Sequence, residues 1–395
     1  MIPREPLYTV HFDDAAAGMR GFLVVHSAYR ATSSGGVRVA PDVSLEEVQA
    51  LAHAMTYKYA FWNRPSGGAK AGVILAEGLD AEARARAFAA VGRCLAPLIS
   101  AGLYYPWPDL NCGADDVRAI YAGAGVDSGP IPDSSEQTAL ALFGAVRATA
   151  RHLKLAPHQC RIAVEGFGRV GSGLAREVAQ WGGKIVAVST AQGAVANPEG
   201  LDIAVLCAAR QEQGDAFVAE AGAWERLDRD ALFAVPCDLF LPCARVGALD
   251  GARAAQLPAR AVVPGANAPY TEEAEAALAG RGLLALPDFV TNSGGITGTR
   301  LLQLGASADV MRHLLVDEFG AMVERGLARA AERGLSPLAL AREVAETRYA
   351  ARRLPARSGL LPALSRRLAR RTPLALRRRR AVQEFLAVTR RTFGE

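Results

Sequence analysis

Apolar positions along this chain change their rhythm near residue 130. In "SLEEVQALAHAMTYKYAFW" they fall at Val48, Leu51, Ala52 and Met55, the spacing of one buried helix face, behind a capping box of Ser44 and Glu47. Lys58 continues that face. An amine there is costly to bury unless its charge has a partner, so either the helix ends first and Lys58 reaches out to water, or the side chain faces a pocket holding an anion. The glycine-rich "PSGGAK" reads as a loop closing on Lys70 before an apolar strand, "AGVIL", and "PDLNCGADDV" reads as a turn before a helix starting near Ala114. "GVDSGPIPDSSEQTALALFGAV" passes from a Gly/Pro/Ser-rich connection into an apolar helix, where a domain boundary is expected. Beyond it the order becomes strand, helix, strand, the mark of a parallel α/β sheet.

That second region is the more specific. "RIAVEGFGRVGSGLAREVAQWGGKIVAVST" predicts a strand to Val164, a turn with Gly166, Gly168 and Gly171 in GxGxxG spacing, a helix, and a strand from Lys184 to Val188. In that setting the glycines allow a tight turn and let the backbone approach a pyrophosphate at the helix N-terminus. Further strands are expected in "DLFLPCA", "AVVPGAN" and "LLALPDF". A carboxylate about 20 residues past the glycines would take a ribose 2′-hydroxyl, but Thr190 occupies that place and no Arg or Lys follows it, so the pattern leaves NAD and NADP both open. The expected division is 1–133, 134–305 and an Arg-rich set of C-terminal helices over 306–395 that packs back on the body.

With 395 residues and 50% hydrophobic composition, the chain is long enough for two cores. It begins without the basic and apolar run of a signal peptide and contains no stretch of about 18 apolar residues, so a cytoplasmic protein off the membrane is expected. Six cysteines without CxxC spacing and six scattered histidines predict reduced, mostly buried thiols and no metal site. The net charge of +5 is unevenly spread: residues 351–395 hold 13 Arg against Glu384 and Glu395, leaving an acidic body and a basic tail. Arg377–Arg380 would suit phosphate or acidic lipid, yet Val382, Phe385 and Leu386 at helical spacing read equally as a helix docked on the body. Nucleic acid is therefore not the expected partner, although the basic tail leaves it open.

Only four of the 45 Lys and Arg residues are lysines, and Lys58 and Lys70 stand twelve apart. A guanidinium stays protonated at any useful pH, whereas a desolvated amine can act as a base. Taken singly, Lys70 is open between a solvated loop lysine and such a base, and Asp109 reads as turn chemistry, with Asn111 or Asp109 itself bonding the local backbone.

Taken together, "GGVR" (35–38), "MTYK" (55–58), "GGAK" (67–70), "PDLNCG" (108–113), Thr138 with Ala139, "GFGRVG", "PCA" (242–244), "GAN" (265–267) and "TNSGGIT" (291–297) stand in a known order. From about residue 30 to about 300 the chain resembles the amino-acid dehydrogenases acting on glutamate, leucine, phenylalanine and valine. The resemblance implies a two-domain α/β fold: an N-terminal substrate-binding and oligomerisation domain, a C-terminal Rossmann-like dinucleotide-binding domain, and an active site in the cleft between them. It implies that Lys58 grips the substrate α-carboxylate, that Lys70 is the low-pKa amine activating water, and that Asp109 moves protons to and from the substrate nitrogen. Ser34, Gly35, Gly36 and Asn292 would contact substrate. Gly166, Phe167, Gly168, Arg169, Val170, Gly171, Thr190 and Ala244 would hold NAD or NADP, with Thr138 beside the nicotinamide ring and Asn267 and Asn292 near the nicotinamide and its ribose. The implied reaction turns an L-amino acid into an iminium and then a 2-oxo acid and ammonia, in a homo-oligomer.

Ser34 stands where glutamate-specific members carry a lysine for the side-chain carboxylate, so an apolar substrate (leucine, valine or phenylalanine) is expected, with glutamate as the alternative and Arg30 near enough in sequence to reach in. Arg300 replaces an acidic residue of the family pattern, and the C-terminal region resembles nothing in it. A regulatory relative that binds ligand without turnover would be free to relax Lys70 and Asp109, which this chain keeps. A hydroxy-acid dehydrogenase would need a His base paired with a carboxylate, and none of the six histidines lies in such a motif.

Overall fold

The computed structural model describes residues 1–220, 224–352 and 373–394 and divides the chain into two compact α/β units. The first holds residues 1–133 and, after a long excursion, residues 342–352. Its sheet contains β1 (Tyr8–Asp14), β2 (Met19–Val25), β3 (Ser33–Val39), β4 (Gly67–Leu75) and β5 (Tyr104–Pro108), ordered β1-β2-β4-β3-β5. The β1–β2 and β2–β4 pairs are antiparallel, while β3 runs parallel to both β4 and β5. Successive side chains of a strand face opposite ways. On one side Val37, Val39, Ala69, Ala71 and Val73 meet Phe88, Val91 and Leu95 of α2 (Ala81–Ser100) and Val117 and Ile120 of α3 (Ala114–Gly123). On the other, Val24 meets Val48 and Ala52 of α1 (Leu45–Phe61), whose first turn is capped by the Ser44 hydroxyl accepting from the Glu47 N–H. The side chains of Arg38 and Lys70, and the open position at Gly36, share this α1 side by alternation.

The second unit holds residues 134–341 and the final helix. Its sheet has β6 (Arg161–Glu165), β7 (Lys184–Thr190), β8 (Gly193–Ala196), β9 (Glu225–Leu227), β10 (Leu239–Pro242), β11 (Ala261–Val262) and β12 (Leu284–Ala285), in the order β12-β11-β10-β6-β7-β8-β9. From β12 to β7 every pairing is parallel, as the run of apolar strands and the GxGxxG turn lead one to expect. The antiparallel extension through β8 and β9 was not expected from the sequence. Helices α4 (Ser135–His152) and α5 (Arg169–Trp181) follow the connection and the glycine turn.

Contacts do not separate 306–395 from what precedes it. The second unit runs on to Ala341, while residues 342–352 return to the first unit, where the Tyr57 hydroxyl meets Glu346 at 2.9 Å and Arg352 donates to the carbonyls of Arg64 and Ser66. Helix Leu374–Arg391 lies on the second unit through Ala381, Phe385 and Thr389, with Arg390 paired to Glu318. The buried stripe is thus 381/385/389, and Val382 and Leu386 are only partly covered. Residues 353–372 of the basic tail lie outside the described residues. Of the cysteines, Cys112, Cys160 and Cys237 are buried, while Cys94 is exposed.

Candidate active site

Strand β4 begins at Gly67, so "GGAK" is strand rather than loop, and the pleat directs Lys70 inward, where its side chain is 2% exposed. Its Nζ lies 2.8 Å from Oδ2 of Asp109. Asp109 follows β5 in a tight turn in which Asp109 and Cys112 exchange backbone hydrogen bonds and Asn111 sits at a φ of 53°. Asn111 satisfies the turn, donating to the Val39 carbonyl at 3.1 Å, which releases the Asp109 carboxylate to face Lys70. The same Oδ2 also accepts from Nε of Arg38 at 3.1 Å, and the far end of that guanidinium meets Glu47 of α1 at 2.5 Å. Gly36 roofs the pair: a Cβ there would stand 2.7 Å from Cβ of Asp109 and 3.2 Å from Nζ of Lys70.

Burial alone would raise the Asp109 carboxyl, but Lys70 and Arg38 outweigh it and hold the group well below the usual carboxylate range. For Lys70, burial pushes the amine down, Asp109 pulls it back up, and Arg38 adds to the lowering. Lys70 is thus an amine that burial pushes below its ordinary range, beside a carboxylate held below its own.

Lys58 does not reach out to water. Helix α1 continues three residues past it to Phe61, and Lys58 is 5% exposed. Ser34, on β3 opposite Gly68, is buried and donates to the Tyr105 carbonyl at 3.1 Å. Arg30 is exposed, with its guanidinium over the Tyr29 ring. The two lysine-bearing elements are tied by a polar chain that no motif announces: the Gly68 N–H donates to Oγ of Ser27, which lies 2.7 Å from Oγ1 of Thr56, itself 2.9 Å from Nδ1 of His26.

In the second unit the turn after β6 places Gly166 at a φ of 93°, a conformation that L side chains rarely adopt. At Gly171 a Cβ would stand 2.1 Å from the Gly166 carbonyl, so only glycine lets helix and turn close on each other. Helix α5 starts from Gly168, which offers no side chain to its first N–H groups. These ends lie where the strand order reverses between β6 and β10, the usual place for a ligand in such a sheet. Phe167 is buried against Phe217, so only its backbone is available, while Arg169 is exposed and Val170 half-buried. Ala244 abuts Gly166 and donates its N–H to the buried Glu165. The Thr190 hydroxyl donates to the Asp215 carbonyl at 2.9 Å and accepts from the Gln192 N–H.

Asn292 donates through Nδ2 to the Ala266 carbonyl and to Oδ1 of Asn267, at 2.9 and 3.0 Å, and its own Oδ1 is buried with no partner among the described residues. Thr138 lies against Gly295 and donates to the Ser134 carbonyl. An uncapped helix N-terminus for a pyrophosphate and an orphaned buried acceptor suited to a carboxamide N–H make these residues fit a nicotinamide dinucleotide. Arg300 is exposed on helix Gly294–Gln303.

Arg38 and Glu47 are the residues that sequence reasoning missed. Both stood in view, in "GGVR" and in the capping box, but each already had a local reading, and nothing in a sequence window joins positions 38, 47 and 109.

Comparisons with known proteins find relatives for both units. The family model for the Glutamate/Leucine/Phenylalanine/Valine dehydrogenase matches residues 129–335, and that for the Glu/Leu/Phe/Val dehydrogenase dimerisation domain matches residues 6–124. The chain is 34% identical over 313 residues to a glutamate dehydrogenase of Thermotoga maritima, covering 73% of this chain and 74% of that one. It is 33% identical to the NADP-specific glutamate dehydrogenase A1 of Halobacterium salinarum, covering 74% of each. Among solved structures, the leucine-bound hetero-hexameric glutamate dehydrogenase of Thermus thermophilus superposes with a TM-score of 0.73 at 28% identity, covering 87% of this chain and 89% of that one.

Proposed function

We propose a substrate and a division of labour on one premise: the chain belongs to the glutamate/leucine/phenylalanine/valine dehydrogenase family and is an NAD(P)-dependent amino-acid dehydrogenase. The observation that carries the chemistry is the buried Lys70 amine, 2.8 Å from the Asp109 carboxylate. Lys58 holds the substrate α-carboxylate, an anion that a buried cation can compensate. The Gly166–Gly171 turn with Thr138, Thr190, Ala244, Asn267 and Asn292 would hold NAD(P), which would supply the hydride acceptor for the substrate α-carbon. Lys70, without its proton, takes one from the water that attacks the iminium carbon. Asp109 carries protons to and from the nitrogen as ammonia leaves. Gly36 keeps the space above the pair clear, Gly35 lets β3 lie close to β4 beneath the substrate, and Ser34 faces the substrate side chain.

Glutamate is the substrate that the relatives support best, since both sequence relatives above are glutamate dehydrogenases over about three quarters of their length. This displaces the apolar amino acid expected from the sequence. One observation still favours that second reading: Ser34 brings a neutral hydroxyl to the position where a cation would meet a side-chain carboxylate, and the exposed Arg30 stacks on Tyr29. Self-association through the first unit into a homo-oligomer is part of the proposal, supported by the dimerisation-domain match.

The test is absorbance of reduced nicotinamide with L-glutamate, L-leucine, L-valine and L-phenylalanine, each with NAD and NADP, together with the Lys70→Ala variant. Glutamate turnover that exceeds the others and falls by about 10²–10⁴ in the variant supports the first reading. A higher rate on the apolar set moves the assignment to the second, and silence from folded, nucleotide-binding protein removes both.

A further inference from the structure

We infer that Arg38, backed by Glu47, is a positioning residue that governs when the Lys70 amine gives up its proton. The inference deepens the role proposed for Lys70 and rests on it. Oδ2 of Asp109 receives two donors, Nζ of Lys70 at 2.8 Å and Nε of Arg38 at 3.1 Å. Their charges behave differently through a turnover: the amine gains and loses a proton, whereas the guanidinium keeps its charge at every working pH. Arg38 is therefore a permanent cation on the reacting carboxylate. It holds Asp109 ionised when Lys70 is neutral, and it opposes the ammonium form of Lys70 when the proton returns.

Glu47 acts on the other end of the guanidinium, 2.5 Å from it, and pulls the opposite way on Lys70. Among the described residues, the charged groups acting on the amine are thus Asp109, Arg38 and Glu47. Tyr104 and Cys112 also stand near Asp109, but burial pushes both far upward, so they remain neutral and add no charge. Arg38 is not free to swing elsewhere, because its side chain is 7% exposed, fixed on β3 and held at both ends.

The arrangement predicts shifts of opposite sign. Arg38→Met removes a cation from beside Lys70, so the amine holds its proton to higher pH. Glu47→Gln removes an anion, so the amine releases it at lower pH. The chain offers a direct reading, because it has only four lysines. Full-length protein labelled with ¹³C at lysine Cε gives four side-chain signals, and Lys70→Ala identifies the one to follow through a pH titration. The expected result is a Lys70 midpoint moved upward by about one pH unit in Arg38→Met and downward in Glu47→Gln, with Arg38→Lys close to wild type. Should Arg38→Met fail to fold, the downward shift in Glu47→Gln, a change at a partly exposed position, decides the matter alone.

Midpoints that stay put, or that move the same way in both variants, overturn the inference, because loosened packing has no reason to shift them in opposite directions. The pH profile of kcat/KM should move with the midpoints. Opposite shifts in a protein that oxidises no amino acid would remove the proposed reaction and leave the electrostatic assignment standing. An active enzyme with unmoved midpoints would do the reverse.

Discussion

Gly36 shows how little room the proposed chemistry leaves at the scale of one residue. Its backbone is ordinary strand, so alanine would be tolerated by conformation, but the added methyl would lie 2.7 Å from Cβ of Asp109 and 3.2 Å from Nζ of Lys70. The Asp109 Cβ is anchored to the backbone and must yield. Gly36→Ala should therefore lower kcat by about 10²-fold, since displacing a reacting group by about 1 Å costs that much, while stability falls by only about 1–3 kcal/mol. Steady-state rates and urea unfolding would separate the two effects, and a variant with wild-type kcat would remove Gly36 from the site. Lys58, Lys70 and Asp109 were readable because their motifs are local and ordered along the chain. Arg38 and Glu47 were not, because an ion pair between β3 and the first turn of α1 is a product of folding, and any arginine in a chain with 41 of them looks like background.

Between elements, what matters is how α1 is held to β4, because each carries one of the two lysines. The tie is Thr56 with Ser27 and the Gly68 N–H, two residues before Lys58 on the helix and two before Lys70 on the strand. Thr56 is fully buried, and its hydroxyl also approaches Nδ1 of His26 and the Ala52 carbonyl. Thr56→Val keeps the shape and deletes the hydroxyl, leaving Ser27 and His26 short of a partner in a closed space. The expected cost is about 1–3 kcal/mol in urea unfolding, accompanied by a raised KM for the amino acid as Lys58 loses its fixed distance from Lys70. An unchanged KM would mean that the tie is structural only. The pattern of apolar positions showed α1 and the apolar part of β4, yet it placed "GGAK" in a loop. Glycines usually weaken a strand, but here close neighbours require them: a Cβ at Gly67 would stand 2.0 Å from the Ser27 carbonyl oxygen, and one at Gly68 would stand 2.3 Å from the Thr56 nitrogen of α1.

Across the whole molecule the sequence showed where the chain changes character, near residue 130, and that the last helix has an apolar face, because both are matters of composition and period. It did not show that residues 342–352 return to the first unit, since that return is made by single contacts such as Tyr57 with Glu346. The same return shapes the pH response of that unit. His53 of α1 packs on His26 with ring centroids 4.6 Å apart, and burial, then His26, Arg342 and Arg4, bring it down to about 4. In the unfolded chain a histidine takes up its proton near pH 6.5. Between about 6.5 and about 4 the unfolded state therefore binds a proton that the folded state refuses, and stability must fall as the pH falls through that window. His26, also lowered by burial, acts in the same sense. Asp109 adds its loss as the pH falls into the range where an unfolded carboxylate takes up its proton, around 4, and on below it, because Lys70 and Arg38 keep it ionised in the fold. Urea unfolding at steps from pH 7 to pH 4 should thus show a falling midpoint in the wild type. His53→Gln should flatten the part of that fall lying above about pH 4, leaving the contribution of His26. If the slope is the same in both proteins, His53 does not govern the acid response, and the loss comes from His26 or from paired carboxylates.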